Sequence, residues 1–359
     1  MIETDVLIVG AGISGLNLAG LLEEHSVNYR LLEKRSTIGK HGNRIVNMDV
    51  VKSLSLPESL IKYKIQEIRF VSPNGTKLER KDTAVRGVVV DLFDVEKMLA
   101  DRISKTDTIL FNQKAIEVNL KNNLLITQKE KFKFKLLIGA YGITNWASFE
   151  SPKKVLCHSV QINTNNSYPI TVFINSKAKG FYGWIMPLAD DRVELGIGSY
   201  LSHNESAIKL KEKIFQMPGL EQFKGKKPLT ESTGIIPVSI INNFYGGNFC
   251  LIGDANGGEA MMGASIHKCL DESKIACDSI VSMMQNKENY SKKFISAWTR
   301  KFYDDISEQQ KMRKLLDETD DDNINAIFYK LTRKKLEGTG LINALFKNIV
   351  MSLRQSQEC

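Results

Sequence analysis

A short apolar run, Thr4-Asp5-Val6-Leu7-Ile8-Val9, leads into Gly10-Ala11-Gly12-Ile13-Ser14-Gly15, and a helical pattern through Leu16, Ala19, Leu22 and Glu23 follows at once. The run reads as a buried strand bounded by glycine. Gly10 makes a tight turn, Gly12 lets a pyrophosphate approach the backbone, and Gly15 lets helix and strand pack closely. The helix start, with Ile13 and Ser14, offers free N–H groups and a positive dipole end to phosphates. A second strand, Tyr29-Arg30-Leu31-Leu32, ends at Glu33, 18 residues after Gly15. A carboxylate there accepts hydrogen bonds from a ribose diol and disfavours a 2′-phosphate, so the ligand is FAD or NAD rather than NADP.

A second strand-to-glycine transition decides between them. Gly247-Asn248-Phe249-Cys250-Leu251-Ile252 runs into Gly253-Asp254, then a glycine-rich loop through Gly257, Gly258 and Gly263, then a helix from about 264 to 284. An Asp at a strand end can hold a ribityl hydroxyl, and amides at the following helix start can face the flavin or the pyrophosphate. A plain NAD domain has no need of this returning segment, so the cofactor is expected to be FAD. Between the two lies Leu136-Leu137-Ile138-Gly139-Ala140-Tyr141-Gly142, a strand running into a small-residue turn.

These three segments, in this order, resemble the glutathione-reductase-type FAD fold of the geranylgeranyl reductase and aromatic hydroxylase superfamily. In that family the middle segment reads Gly-Ala-Asp-Gly with a Ser three residues on, where this chain has Tyr141 and Asn145. The last reads Gly-Asp-Ala-Ala, then Pro, then Gly-Glu-Gly-Ile; here it is Gly253-Asp254-Ala255-Asn256 and Gly263-Ala264-Ser265-Ile266, without the Pro. The resemblance places Gly253, Asp254, Gly263, Ala264 and Ser265 around the flavin. Lys34, Arg44, Ala115, Ala140 and Gly142 complete the expected cofactor contacts, Arg44 through the phosphates or, equally, as a solvated loop residue.

Residues 151–235 read as an inserted unit. Strand patterns at 155–162, 170–174, 181–187 and 193–200 precede a helical stretch at 205–216 that ends at Pro218-Gly219. Such a sheet can roof a flavin and hold substrate. Within it, Tyr182-Gly183-Trp184-Ile185-Met186-Pro187 resembles the Pro-x-x-Tyr-x-Trp-x-Phe-Pro motif of geranylgeranyl reductases. Tyr182, Trp184 and Pro187 match, Lys179 replaces the first Pro and Met186 the Phe. Period two puts Tyr182, Trp184 and Met186 on one face, which is either a wall for a prenyl chain or the inner face of a sheet.

The expected architecture is therefore α/β: a discontinuous Rossmann-like FAD-binding domain (1–150 plus 236–285), an antiparallel-sheet substrate domain (151–235) and a helical C-terminal region (286–359). Asp94 reads as the N-cap of a helix running to about residue 104. The five cysteines, Cys157, Cys250, Cys269, Cys277 and Cys359, form no CxxC. Cys269 and Cys277 would lie about 12 Å apart on one helix at roughly 1.5 Å per residue, beyond the ~7 Å Cα limit of a disulfide. That usage points to the cytoplasm and away from a zinc site or an active dithiol. The strand pattern at the N-terminus leaves no room for a signal peptide, and no run reaches the ~20 apolar residues that span a bilayer. The five histidines offer no catalytic pair: His25 reads as a helix-surface residue, His41 as part of a flavin-side loop and His267 as a helix-packing residue.

A formal charge of +8 suits an anionic membrane or an acidic protein; the cations are spread along the chain, which leaves nucleic acid least supported. Near the C-terminus Leu341, Leu345, Ile349 and Leu353 recur every four residues with Lys347 and Arg354 beside them. That helix either packs on the protein body or lies in the plane of a membrane's inner face.

The resemblance implies a reductase that saturates C=C bonds of geranylgeranyl chains in an isoprenoid lipid or prenyl diphosphate. Reduced FAD would give hydride to one alkene carbon and an acid, with Tyr182 as a candidate, would protonate the other. A ferredoxin-like carrier or a transiently bound NAD(P)H would supply electrons. Two alternatives share the FAD segments: a monooxygenase acting on a small hydrophobic substrate, and a flavin-binding electron-transfer protein without substrate chemistry.

Overall fold

The computed structural model describes residues 1–332 apart from 105, 145–148, 176–177, 179–181, 262, 264–265 and 286–287. The chain runs β1 (Ile2–Val9), α1 (Ile13–Glu24), β2 (Tyr29–Leu32), β3 (Asn43–Asn47), α2 (Met48–Ser53), β4 (Ile61–Ile65), β5 (Glu67–Val71) and β6 (Lys77–Lys81). It continues through β7 (Gly87–Asp91), α3 (Leu92–Asp101), β8 (Ile109–Leu110), β9 (Ala115–Asn119), β10 (Leu124–Thr127), β11 (Lys131–Gly139) and β12 (Lys154–Asn163). Then follow β13 (Ile170–Phe173), β14 (Gly183–Ala189), β15 (Arg192–Tyr200), α4 (Ala207–Ile214), β16 (Thr230–Pro237), β17 (Tyr245–Gly246) and β18 (Phe249–Leu251). Helices α5 (Ile266–Met284), α6 (Tyr290–Asp317) and α7 (Asp321–Thr332) complete it.

Two compact units share this chain. The first is built from Met1–Arg44, Val90–Pro152 and Pro237–Ser307, the second from Ile45–Val89, Lys153–Ile236 and residues 308–332. The first holds a sheet in the order β17-β18-β11-β1-β2-β8, with the β9–β10 hairpin paired onto β11. Strands β18, β11, β1, β2 and β8 are mutually parallel. β1 lies central in this sheet, so its Val6, Leu7 and Ile8 are fully buried, as the apolar run requires. This is the Rossmann-like layer that the glycine motif implies. Helix α1 packs against α5, tied where Ser273 Oγ donates to the Ser14 carbonyl at 2.9 Å.

The second unit holds a seven-stranded sheet, β16-β12-β15-β14-β13-β5-β6. The sequence reading begins this unit at residue 151 and leaves 45–89 with the nucleotide fold. The structure differs: β5 joins the sheet by pairing parallel with β13, Ile68 opposite Ile170 and Phe70 opposite Val172, and brings its antiparallel partner β6 with it. The inserted sheet is thus mixed, with one parallel pair. One of its faces, with Val160, Phe173, Ile185, Leu195 and Ile197, is sealed by Leu210 and Ile214 of α4 and by Met217 and Phe223 beyond it. That burial accounts for the amphipathic pattern of the short helix.

One cap is corrected. Asp91, not Asp94, opens α3: its carboxylate accepts from the Phe93 amide at 3.1 Å. Asp94 stands in the first turn, where a negative charge favours the helix dipole. The same Asp91 oxygen accepts from the Gly42 amide, so the cap also fixes the loop before β3.

Candidate FAD site and substrate wall

At the end of β1 the backbone turns at Gly10, whose φ of +108° is left-handed territory. A Cβ there would also collide with the Ala140 carbonyl, because β11 ends beside β1 and the Ala140 amide donates to the Val9 carbonyl at 2.8 Å. Glycine is required on both counts. The turn delivers Gly12 as the N-cap of α1, with no side-chain cap, so the first amides of the helix, at Ile13 and Ser14, stay available to an anion.

Glu33 follows β2 and is 4% exposed. Its Oε2 accepts from the Ala11 amide at 3.0 Å. Its Oε1 takes the Arg35 amide and Arg35 Nε, each at 2.9 Å. Burial pushes this carboxyl upward, but the Arg35 hydrogen bonds and the Ala11 amide outweigh it and hold the group below its ordinary range. It is therefore an ionised acceptor tied to the glycine turn; Oε2 also takes Arg35 Nη2 at 3.4 Å, the longest of its contacts and the one a ribose hydroxyl would displace. Lys34 beside it is exposed and reaches Thr144 Oγ1 at 3.3 Å. Ala115 opens β9 and packs on the cluster of Leu7, Leu32 and Leu137.

At the other end of the sheet β18 feeds Gly253-Asp254. Here the structure shows a device that the sequence does not announce. Lys268 and Glu272, one turn apart on α5, have side chains 1% and 0% exposed and pair at 2.9 Å. The carboxylate accepts from the Gly253 amide at 2.6 Å, Asn256 Nδ2 at 2.8 Å and Trp298 Nε1 at 2.6 Å. The ammonium donates to Asn256 Oδ1 at 2.6 Å and the Gly257 carbonyl at 3.2 Å. The pair thereby satisfies the inner polar groups of the 253–257 loop. Asp254 is raised by burial, against the opposing charges of Lys268 and Arg44. Arg44 also bonds the Asn43 carbonyl at 2.8 Å.

Gly142 adopts φ +69° and Gly263 φ +72°; Ala264 and Ser265 lie outside the described residues, as do Asn145 and Lys179. Half-buried Tyr141 stacks on Phe149, ring centroids 6.5 Å apart, and desolvation raises its hydroxyl. His41 stacks on Phe93 at 4.5 Å with Nδ1 3.3 Å from Asp91. His267 pairs with Glu259 at 2.8 Å, and Glu259 holds its imidazole above the ordinary range although burial opposes. Burial pushes the thiols of Cys269 and Cys277 up to about 12, which disfavours thiolate chemistry.

In the second unit, Trp184 and Met186 lie on the sheet face opposite α4. Tyr182 and Trp184 meet edge to face, centroids 6.0 Å apart, and Met186 follows, 5% exposed. Alternation sets Pro187 with Ile185 on the α4 side. Trp184 lies opposite Gly196 of β15, and a Cβ on Gly196 would collide with the indole. The glycine is thus the floor under the ring. Glu194, opposite Met186, adds a carboxyl to this face at 8% exposure. Gly196→Val should displace Trp184, blue-shifting or quenching its fluorescence and removing prenyl-chain binding. FAD content should stay unchanged, since the substitution touches only the second unit; unaltered chain binding would show that the wall is not the binding face.

Residues 3–120 match the family model described as "FAD binding domain", and FAD is the cofactor these residues fit. The chain is 26% identical to digeranylgeranylglycerophospholipid reductase 2 of Methanosphaera stadtmanae, covering 97% of each chain. It is also 26% identical to the digeranylgeranylglycerophospholipid reductase of Methanococcus vannielii, over 90% of this chain and 89% of that one. A geranylgeranyl bacteriochlorophyll reductase-like structure from Thermoplasma acidophilum shares the fold with a TM-score of 0.85 at 18% identity, covering 100% of this chain and 99% of the other.

Proposed function

We propose that this member of the geranylgeranyl reductase family of FAD-dependent oxidoreductases saturates C=C bonds in the prenyl chains of an isoprenoid lipid. The observation that carries this is the strip of Tyr182, Trp184 and Met186 floored by Gly196. It is a row of aromatic and thioether side chains, with Gly196 leaving room for the Trp184 ring, and it suits a long unsaturated chain better than a compact polar substrate. The names of the similar reductases point to a geranylgeranyl chain on a glycerophospholipid or its precursor.

When bound and reduced, FAD supplies the hydride. The chain's own residues do the rest. Glu33, the glycine turn and the Gly253–Gly257 loop hold and orient the cofactor, and the aromatic strip aligns the alkene and excludes water. An unactivated alkene resists hydride, so alignment carries much of the catalysis. The Tyr182 hydroxyl, on the strip itself, is the proton donor in this reading.

The basic chain suits an acidic, ferredoxin-like electron carrier, with NAD(P)H as the other donor. Among the described residues no helix is long and apolar enough to cross a membrane. In this reading the enzyme works in the cytoplasm and meets lipid at the inner face of the membrane. The amphipathic stretch 341–353 suits that contact and lies outside the described residues.

Anaerobic incubation of the chemically reduced holoprotein with a digeranylgeranylglycerophospholipid tests the activity. The expected product gains one H2 of mass per saturated bond. No gain would favour a pure electron-transfer role, and oxygen consumption stoichiometric with NADPH would favour a monooxygenase; either outcome overturns the reading.

A further inference from the structure

The first unit buries a carboxyl beside the turn that must admit a diphosphate. Glu96, on α3, is 5% exposed. Its Oε2 accepts from the Lys40 amide at 3.2 Å. Its Oε1 lies 3.5 Å from the point where a Cβ on Gly12 would stand. Gly12 is the position whose bare backbone lets a pyrophosphate approach. An ionised carboxylate there would face phosphate oxygens of the same sign at close range and away from water. Like charges so placed cannot both persist, and the group with the accessible proton keeps it.

The surroundings favour the same outcome. Around Glu96 stand Glu33 and Arg35 after β2, and the Lys40 amide and Arg44 in the following loop. Arg35 is already held by Glu33 through Nε at 2.9 Å, so its charge is largely spent on that carboxylate. Burial dominates and pushes the Glu96 carboxyl up to about 7, against the opposing charges of Arg35 and Arg44 and the Lys40 amide.

We propose that Glu96 belongs to the FAD site as a neutral acid, donating its proton in a hydrogen bond to the cofactor's diphosphate beside Gly12. FAD binding then takes up a proton wherever the free protein carries Glu96 ionised. The sign follows from linkage: a group that must be protonated in the complex weakens binding as pH rises above its free-protein value. Affinity should be flat below that value and fall by up to about tenfold per pH unit above it.

The test is titration of the apoprotein with FAD between about pH 6 and pH 9, followed by quenching of flavin fluorescence. Calorimetry in two buffers of different ionisation heat counts the protons. The native protein should take up close to one proton at the alkaline end and bind FAD progressively more weakly there. Glu96→Gln, which keeps a hydrogen-bond donor and never ionises, should bind with no proton uptake and no alkaline loss. Absence of proton uptake in the native protein overturns the proposal, and this needs no variant. An unchanged pH slope in Glu96→Gln overturns it as well. If neither protein binds FAD at any pH, the cofactor assignment fails and the proposal with it, a result distinct from pH-independent binding.

Discussion

Glu272→Leu should destabilise the first unit by about 3–5 kcal/mol, because it strands the Lys268 ammonium in a buried site. Lys268 and Glu272 are the least exposed ion pair of α5. The leucine would leave the Gly253 amide, Asn256 Nδ2 and Trp298 Nε1 without their acceptor as well. Each buried donor left unpaired adds about 1–3 kcal/mol of desolvation, so a value at the upper end of the range is expected. The double variant Lys268→Met/Glu272→Leu removes the stranded charge and should recover part of the loss. Denaturant midpoints measure both. A Glu272→Leu protein within about 1 kcal/mol of the native one would mean that water reaches the pair. FAD content should fall in parallel in the single variant, since the Gly253–Gly257 loop loses its inner support.

The second large effect is at the ribose end. Glu33→Ala should weaken FAD binding by about 1.5–3 kcal/mol, the range for hydrogen bonds to a charged acceptor, or roughly 12- to 150-fold in Kd. Equilibrium dialysis or fluorescence titration reads it directly. Native affinity in the variant would show that the ribose is held elsewhere. The same residue predicts an acid limit. Glu33 is held below its ordinary range, so its contribution to stability is fully present above the unfolded-state value near ~4.3 and is lost as pH falls through the lower folded-state value. Glu33→Gln should flatten that part of the stability profile.

The segments legible in the sequence are those whose chemistry is local. Gly10 to Gly15, Glu33 and Gly253-Asp254 announce themselves because turn, dipole and carboxylate lie within a few residues of one another. Strand ends at Val9 and Leu32 match the periodic runs for the same reason, and β18 stops at Leu251, one residue short of the run. The membership of 45–89 was not legible, because it depends on β5 finding β13 about a hundred residues later in the chain. The cap of α3 was misread because Asp91 and Asp94 are both plausible caps, and only the backbone at Asp91, at φ −86° and ψ 129°, shows which one stands outside the helix. Lys268 and Glu272 were the least legible. Four residues apart on a helix, they have the spacing of an ordinary solvated pair, and only the packing of α5 against α1 and Trp298 turns that face inward. Glu96 was hidden likewise, a charged residue in a helix whose neighbours Val95 and Leu99 are core.

The interleaving of the two units sets the order in which the protein can assemble. β1 is synthesised well before its parallel partner β11, which begins 129 residues later, with Ile2 opposite Phe132. β11 in turn awaits β18, with Leu137 opposite Phe249. The glycine turn is therefore synthesised early but leans on Ala140, 130 residues after Gly10, and the sheet behind it is completed only when β18 has emerged. Parallel pairing over such separations makes folding slow and leaves apolar strands unpaired meanwhile. Neither unit can be cut out as a contiguous fragment, and production of the protein should respond to chaperone supply and growth temperature more than to any single surface substitution.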